Sequence, residues 1–310
     1  MAMGWSGSLW VYLNVHDPYV AWEVYRGNLL SAHVAPPAGD WAPISLVLAS
    51  AIRGGQAMRL QHELVMERVR ISAFPEATSR LRGMYFFADE ASALRILESW
   101  SDLPEHFKEE CLAEVGFLDG LRRSQHDSMW IEEYMWIDRP FQEEDIVWIR
   151  KYWSGEAMNE FPLWEVVAEG SLWVFGTEVR SRAHDSIAKE QPESLGMLEL
   201  SRVAADLDSN LGHCAPLVAN VGSHWLVEYF MDMRDATNVR FLDSLRNYRG
   251  PKNTSELNAA ILDRDGLRVP NFMEQAFEFQ PPPDLASLLL PQANAVTSKD
   301  VENRATRRKS

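Results

Sequence analysis

The sequence predicts an α+β fold followed by a smaller β-rich region. Three observations lead there. Short apolar bursts of strand length, such as "SLWVYLNV" (8–15) and "GMYFF" (83–87), are interspersed with amphipathic stretches of helical period. The two kinds of segment intermingle without a regular βαβ rhythm, which disfavours a doubly wound parallel sheet. The composition, 46% hydrophobic and 24% charged over 310 residues, supports a real core and two domains, or one large domain with an appendage.

Taken in order, "SLWVYLNV" reads as a buried strand ended by the turn-like "HDP", and "YVAWEVYRGNLL" (19–30) as a helix closing at Gly27. The Pro/Gly-rich "APPAGDWAP" (35–43) is a loop. In "AMRLQHELVMERVR" (57–70) the apolar Met58, Leu60, Leu64, Val65 and Val69 have roughly helical spacing. Glu63, Glu67 and Arg70 supply its polar side, and Phe74-Pro75 stops it. "SRLRGMYFFADEASALRI" (79–96) predicts a strand near 83–88 and a helix near 89–100 capped by Asp89, whose carboxylate accepts orphan amide protons.

Residues 105–150 mix charged helical segments with an aromatic strand, "SMWIEEYMWI". "EEDIVWIRKYW" (143–153) reads as a helix, and "PLWEVVAEGSLWVFG" (162–176) as strand, Glu-Gly turn and strand. The polar "TEVRSRAHDSIAKEQPES" (177–194) reads as a linker, its core at 181–194. A β-rich accessory or target-recognition unit is expected at about 195–290, with strands in "APLVANVG", "HWLVEYFMD" and "NVRFLDSL". The tail 291–310 is polar, ends in a cationic cluster and reads as disordered.

A net charge of −15 argues against broad binding to phosphate backbones, which needs neutralising lysines and arginines, and leaves room only for a local basic groove. Two cysteines, Cys111 and Cys214, give neither a disulfide framework nor a thiolate zinc site. The amino terminus carries no basic region or long apolar core, and no apolar run reaches about eighteen residues, so a soluble, cytoplasmic protein is expected.

Walker-type and Rossmann-type glycine motifs are absent from the sequence, and "IRGGQAM" (52–58) reads as a plain turn before a helix. The pairs His16-Asp17, His126-Asp127 and His184-Asp185 lie in turn-like, charged contexts, and no metal site is assigned to them. Cys214, His224 and Asp243 supply the residue types of a thiol hydrolase, and "SHWLVEYF…VRFLDSL" is similar to the His-Trp strand and following Asp of ubiquitin-like-protein peptidases. Those families place the nucleophile after the Asp, whereas no cysteine follows Cys214, which also reads as a small core residue.

One ordered set spans the first 176 residues: "WVYLNV", the helix with Glu63 and Glu67, "PEATSRLRGMYFFADEASALRI", "RKYWSGE" and "PLWEVVAEGSLWV". The succession resembles a bacterial and phage branch of the ADP-ribosyltransferase superfamily, with the diphtheria-toxin and poly-ADP-ribose-polymerase-like fold. The resemblance implies a domain at 1–180 built on a split antiparallel β-sheet, with NAD as co-substrate held between the two sheets. ADP-ribose would pass to a macromolecular or small acceptor with release of nicotinamide, or to water. Glu165 then matches the acid beside the ribose, and Tyr85 the aromatic platform for nicotinamide. The histidine expected directly after Tyr12 is replaced by Leu13. The nucleotide contacts therefore fall to His16, three residues on, and to Arg82 or Arg80 on the pyrophosphate. The departure also keeps open a catalytically silent binding or structural protein on the same fold.

Overall fold

Gly170 sits between two strands, Trp164–Glu169 (β7) and Ser171–Val174 (β8), and bends one nearly continuous run of chain at φ 143°, a conformation that side chains rarely adopt. That bend organises the larger sheet. The computed structural model describes residues 7–32, 41–99, 103, 105–117, 122–221, 224–257 and 277–279. The expected tail at 291–310, most of the loop before Trp41 and much of 258–290 lie outside these residues.

The amino-terminal elements are Ser8–Tyr12 (β1), Pro18–Arg26 (α1), Asn28–Leu30 (β2), Ala42–Pro43 (β3), Leu46–Arg53 (α2), Ala57–Ala73 (α3), Met84–Phe87 (β4) and Glu90–Ser99 (α4). There follow Leu112–Phe117 (β5), Arg122–Asp127 (β6), Met129–Tyr134 (α5) and Asp145–Ser154 (α6). After β7 and β8 come Thr177–Glu190 (α7), Leu195–Asp206 (α8), Cys214–Val221 (β9), His224–Met231 (β10), Val239–Asn247 (α9) and Phe277–Phe279 (β11). The mixed α+β class follows from this order, with antiparallel pairing throughout the described strands.

The larger sheet has the order β2-β8-β5-β1-β4-β7-β6, and the smaller one β11-β10-β9-β3. The larger sheet is continuous but narrows between β1 and β4. β1 meets β4 at one register pair, Trp10 with Phe87, whereas β1 pairs β5 over five residues and β4 pairs β7 over four. The bent β7–β8 run supplies a strand on each side of that junction and so bridges it a second time.

Strand alternation sends Leu9, Phe86, Val166 and Ala168 to one side, where they join Trp22 of α1, Ala183 of α7 and Val203 of α8 in one apolar cluster. Trp22 is fully buried, and its Nε1–H donates to the Gly212 carbonyl at 2.8 Å, so neither its ring nor its polar atom is wasted. Leu211, Cys214, Tyr229 and Phe241 belong to the same cluster, and β3 pairs with β9, so the carboxy-terminal elements pack directly on the amino-terminal ones. The opposite side carries Tyr12 and Phe87 beneath α4, and a tryptophan-rich cluster formed by α3, α5 and α6.

Four expectations change. "SMWIEEYMWI" is not a strand: Trp130, Ile131 and Met135 are buried at helical spacing in and just after α5. The segment 177–194 is not a linker, because Val179, Ala183 and Ile187 form a buried i, i+4, i+8 stripe on α7. "NVRFLDSL" is the helix α9, capped by the Asn238 side chain and burying Phe241. The charged region before 150 contains two strands, β5 and β6.

Candidate functional site

The guanidinium of Arg80 lies at the centre of a buried polar cluster between the larger sheet and helices α3 and α6. It donates to Glu63 from Nε (2.9 Å) and Nη2 (3.1 Å), and from Nη1 to the Tyr152 hydroxyl (2.7 Å) and to Glu165 Oε1 (2.8 Å). Tyr152 also donates to Glu165 Oε1 at 2.7 Å. Tyr85 donates its hydroxyl proton to the Arg80 carbonyl at 2.5 Å, and its ring lies 4.8 Å beneath the Arg80 guanidinium carbon.

Each residue reaches this point for a local reason. Glu63 and Glu67 sit four apart on α3, so both face inward together. Glu67 takes the fork of Arg70 (2.9 and 2.8 Å) and the Ser79 hydroxyl (3.0 Å), which fixes the approach of the chain to Arg80. Pairing of β4 with β7 sets Phe87 opposite Glu165 and Tyr85 opposite Val167, so Tyr85 and Glu165 share one face of the sheet. Tyr152 comes from the last turn of α6, whose end is set by Gly155.

The charges balance inside the cluster: Arg80 and Arg59 oppose Glu63 and Glu165, with Arg59 3.4 Å from Glu63. Burial alone would raise the Glu63 pKa, but Arg80 and then Arg59 overcome it and hold the carboxyl below its ordinary value. Burial likewise opposes the Arg80 charge, and Glu63, Tyr152, Tyr85 and Glu165 together hold its pKa well above the usual value. The Tyr85 and Tyr152 hydroxyls are pushed up, mainly by burial, and stay protonated donors.

His126, opposite Glu165 on β6, stacks on Tyr152 at 4.5 Å. Its Nδ1 lies 2.8 Å from the Tyr152 carbonyl, which only accepts, so Nδ1 carries the proton and Nε2 accepts from the Ser124 hydroxyl at 2.8 Å. Burial drops its pKa to about 4, with the nearby Arg80 adding to the fall.

The structure brings three of the sequence candidates together, Arg80, Tyr85 and Glu165. Arg82 is half-buried, with its carbonyl bonded to the Ala32 amide (3.1 Å), on the turn before β4. His16 is exposed in the turn before α1, beside Asp17, which caps α1 and pairs with Arg53 at the end of α2 (3.1 Å). Leu13 is buried on the opposite side of the sheet from Tyr85, in the cluster with Trp22 and Val166. A histidine at that position would face away from Glu165.

The space beside the cluster is small. A cleft lined by Leu48, Ala51, Arg59, Glu63, Arg80 and Tyr85 holds about 10 Å³, room for a single water. Helix α2 forms its roof. In the sequence Glu63 and Glu67 read as a polar helix face, and nothing around Tyr152 or His126 marks either as a site residue. The one available signal was the Glu63-Glu67 pair at i, i+4, followed by Arg70 and Arg80.

The thiol-hydrolase arrangement is not assembled. Met231, not His224, pairs with Cys214 across β9 and β10, which puts His224 about 23 Å along the sheet at strand rise. His224 pairs with Glu278 at 3.3 Å, and exposed Asp243 on α9 pairs with Arg246 at 2.8 Å. The Cys214 thiol is buried, and burial together with Glu23 pushes its pKa well up, the reverse of what a thiolate nucleophile needs.

A family model described as "Protein of unknown function (DUF2441)" matches residues 44–181. That span contains α2 through the start of α7, and with them Arg80, Tyr85, Tyr152 and Glu165. It is under half of the chain, and the description states no activity. No curated protein matches the chain. Among the described residues, no helix is long and apolar enough to cross a membrane.

Proposed function

We propose that this chain is an ADP-ribosyltransferase-type protein that uses NAD as co-substrate. The observation that carries the reading is the placement of Tyr85 and Glu165 on one sheet face, joined through Arg80. The short pairing between β1 and β4, with β1, β4 and β7 side by side, supports the same reading.

NAD supplies an activated glycosidic bond whose cleavage builds positive charge on the ribose. Glu165 would stabilise that charge, as carboxylates do in glycoside hydrolysis. Tyr85 would offer its ring to the nicotinamide, with Arg80 and Arg59 as cations for the pyrophosphate. The residue types fit NAD, whereas the volume of about 10 Å³ does not. Binding therefore requires α2 to lift its Val47, Leu48 and Ala51 side from Tyr85. A phosphate competing for Arg80 would also release Glu165 from its ion pair. The acceptor class would come from label transfer between NAD and a cell extract.

A second reading, a silent binding or structural protein on the same scaffold, is favoured by the closed cleft and by Leu13 turned into the opposite core. Calorimetric titration with NAD separates the two. The transferase reading expects saturable binding, with nicotinamide release that falls by about 100-fold or more in Glu165→Gln at retained secondary structure. Release unchanged in that variant sinks the site assignment, and absence of NAD binding by the wild type hands the fold to the silent reading.

A further inference from the structure

The other side of the molecule, behind α1, carries an open cleft of about 360 Å³ lined by Tyr25, Thr177, Arg180, Ser181, His184 and Asn253. The volume suits a small ligand. All six lining residues are polar or carry a polar tip. Thr177, Arg180, Ser181 and His184 lie at i, i+3, i+4 and i+7 of α7 and so share one helix face. The first turn of α7 has no side-chain cap, because Gly176 precedes it.

Arg180 sets the chemistry. One of its Nη2 protons goes to the Tyr25 carbonyl (3.2 Å), and among the described residues no carboxylate lies within ion-pairing distance of it. The acids around it make their contacts with other groups: Asp206 pairs with Arg202 at 3.0 Å, and one Glu256 oxygen has no partner among the described residues. Glu199 accepts from Arg202 (3.0 and 2.9 Å), the Tyr25 hydroxyl (3.0 Å) and the Asn253 amide (2.7 Å). Glu256 holds His184 Nε2 at 3.2 Å, and Asp185 lies 3.7 Å from His184 Nδ1. Burial and then the neighbouring Arg202 hold the Arg180 pKa below its ordinary value, against a smaller opposing pull from Asp206, Tyr25 and Glu199.

The guanidinium is also held in place. Gly27 stands at φ 88°, and a Cβ there would lie 2.8 Å from Nη2 and 2.9 Å from Cζ of Arg180, so the fork rests on bare backbone. A guanidinium fork with two hydroxyls on the same helix face matches the oxygens of a phosphate or carboxylate.

We infer that this cleft binds a small organic anion, with its phosphate or carboxylate group on Arg180, Thr177 and Ser181. The site is separate from the Arg80 cluster, and its test does not depend on NAD. Full-length protein is titrated calorimetrically with inorganic phosphate and, separately, with malonate at constant ionic strength. The expected result is saturable binding that weakens about tenfold or more in Arg180→Gln. Binding should be unchanged in Arg182→Gln, whose arginine pairs with Glu178 and Glu110 outside the cleft. Thr177→Val with Ser181→Ala leaves the cation in place and should weaken phosphate severalfold, which covers a failure of Arg180→Gln to fold. Preference for phosphate assigns a phosphorylated ligand, and preference for malonate a carboxylated one. Lack of saturable binding of either anion by the wild type, or equal affinity in Arg180→Gln, overturns the inference.

Discussion

Arg80 and Arg180 show two ways for one fold to hold an arginine away from bulk water. Arg80 is 2% exposed and surrounded by two carboxylates and two phenol rings, with Nε, Nη1 and Nη2 all bonded. Arg180 is half-buried beside an open cleft and bonded to one backbone carbonyl. A buried charge costs several kcal/mol to desolvate, and partners can offset that cost within the chain or from outside it. The Arg80 cluster offsets it internally and is closed in consequence. Around Arg180 the compensation is left incomplete, which is the arrangement a ligand can complete.

The largest effect should come from breaking the closed cluster. Arg80→Met keeps the volume but strips Glu63 of its main counterion and Glu165 of its only ion pair among the described residues. Removing one partner of a buried ionic group costs about 3–5 kcal/mol. Urea unfolding should show a loss of this size. A loss below about 1 kcal/mol would mean that the cluster is far more hydrated than its burial implies.

The next effect is a pH dependence carried by His126. Its pKa is about 4 in the folded chain against an ordinary 6.5, so the unfolded chain binds more protons between those values. Stability should be flat above about pH 6.5, fall as pH drops toward 4, and level off below that for this group. The full span amounts to roughly 3 kcal/mol. Glu63 acts in a lower window: its folded pKa is depressed, so its contribution is intact above 4.5 and disappears as pH falls through the folded value. Unfolding free energies measured from about pH 8 to pH 5 should slope more steeply in the wild type than in His126→Gln, where His106, also held below its ordinary value by burial, leaves a smaller slope of the same sign. Equal slopes in the two proteins would remove His126 as the cause.

Much of the scaffold was legible because local pattern and tertiary role agreed. The apolar alternation of β1, the Gly27 stop of α1, the Asp89 cap before α4 and the bent run at Gly170 all follow from short-range chemistry. The misreadings share a cause. In α7 and α9 dense charge hides a narrow apolar stripe, and in α5 aromatic content imitates a strand. β6, "RRSQHD", has almost no apolar signal because it is an edge strand.

The candidate site was legible only in pieces. Tyr85, Arg80 and Glu165 were found through the order of motifs. Glu63 was hidden because a glutamate on an amphipathic helix normally faces water, and its chief partner inside, Arg80, lies seventeen residues on. Arg180 was hidden by the same density of charge that made its helix read as a linker.

The smallest change in intrinsic stability should come from Arg180, and its sign distinguishes the two arginines. Arg180→Gln removes a cation whose only hydrogen bond among the described residues is to the Tyr25 carbonyl, and it leaves no carboxylate orphaned. In chloride buffer the variant should lie within about 0.5 kcal/mol of the wild type, since no partner loses its countercharge. In phosphate the two should part. A ligand that binds only the folded state stabilises it by about 2.7 kcal/mol at a hundred times its dissociation constant, so the wild-type unfolding midpoint should rise with phosphate while that of Arg180→Gln stays level. If Arg180→Gln instead lost several kcal/mol in chloride, Arg180 would be a structural ion of the same kind as Arg80, and the contrast between the two sides of the molecule would collapse.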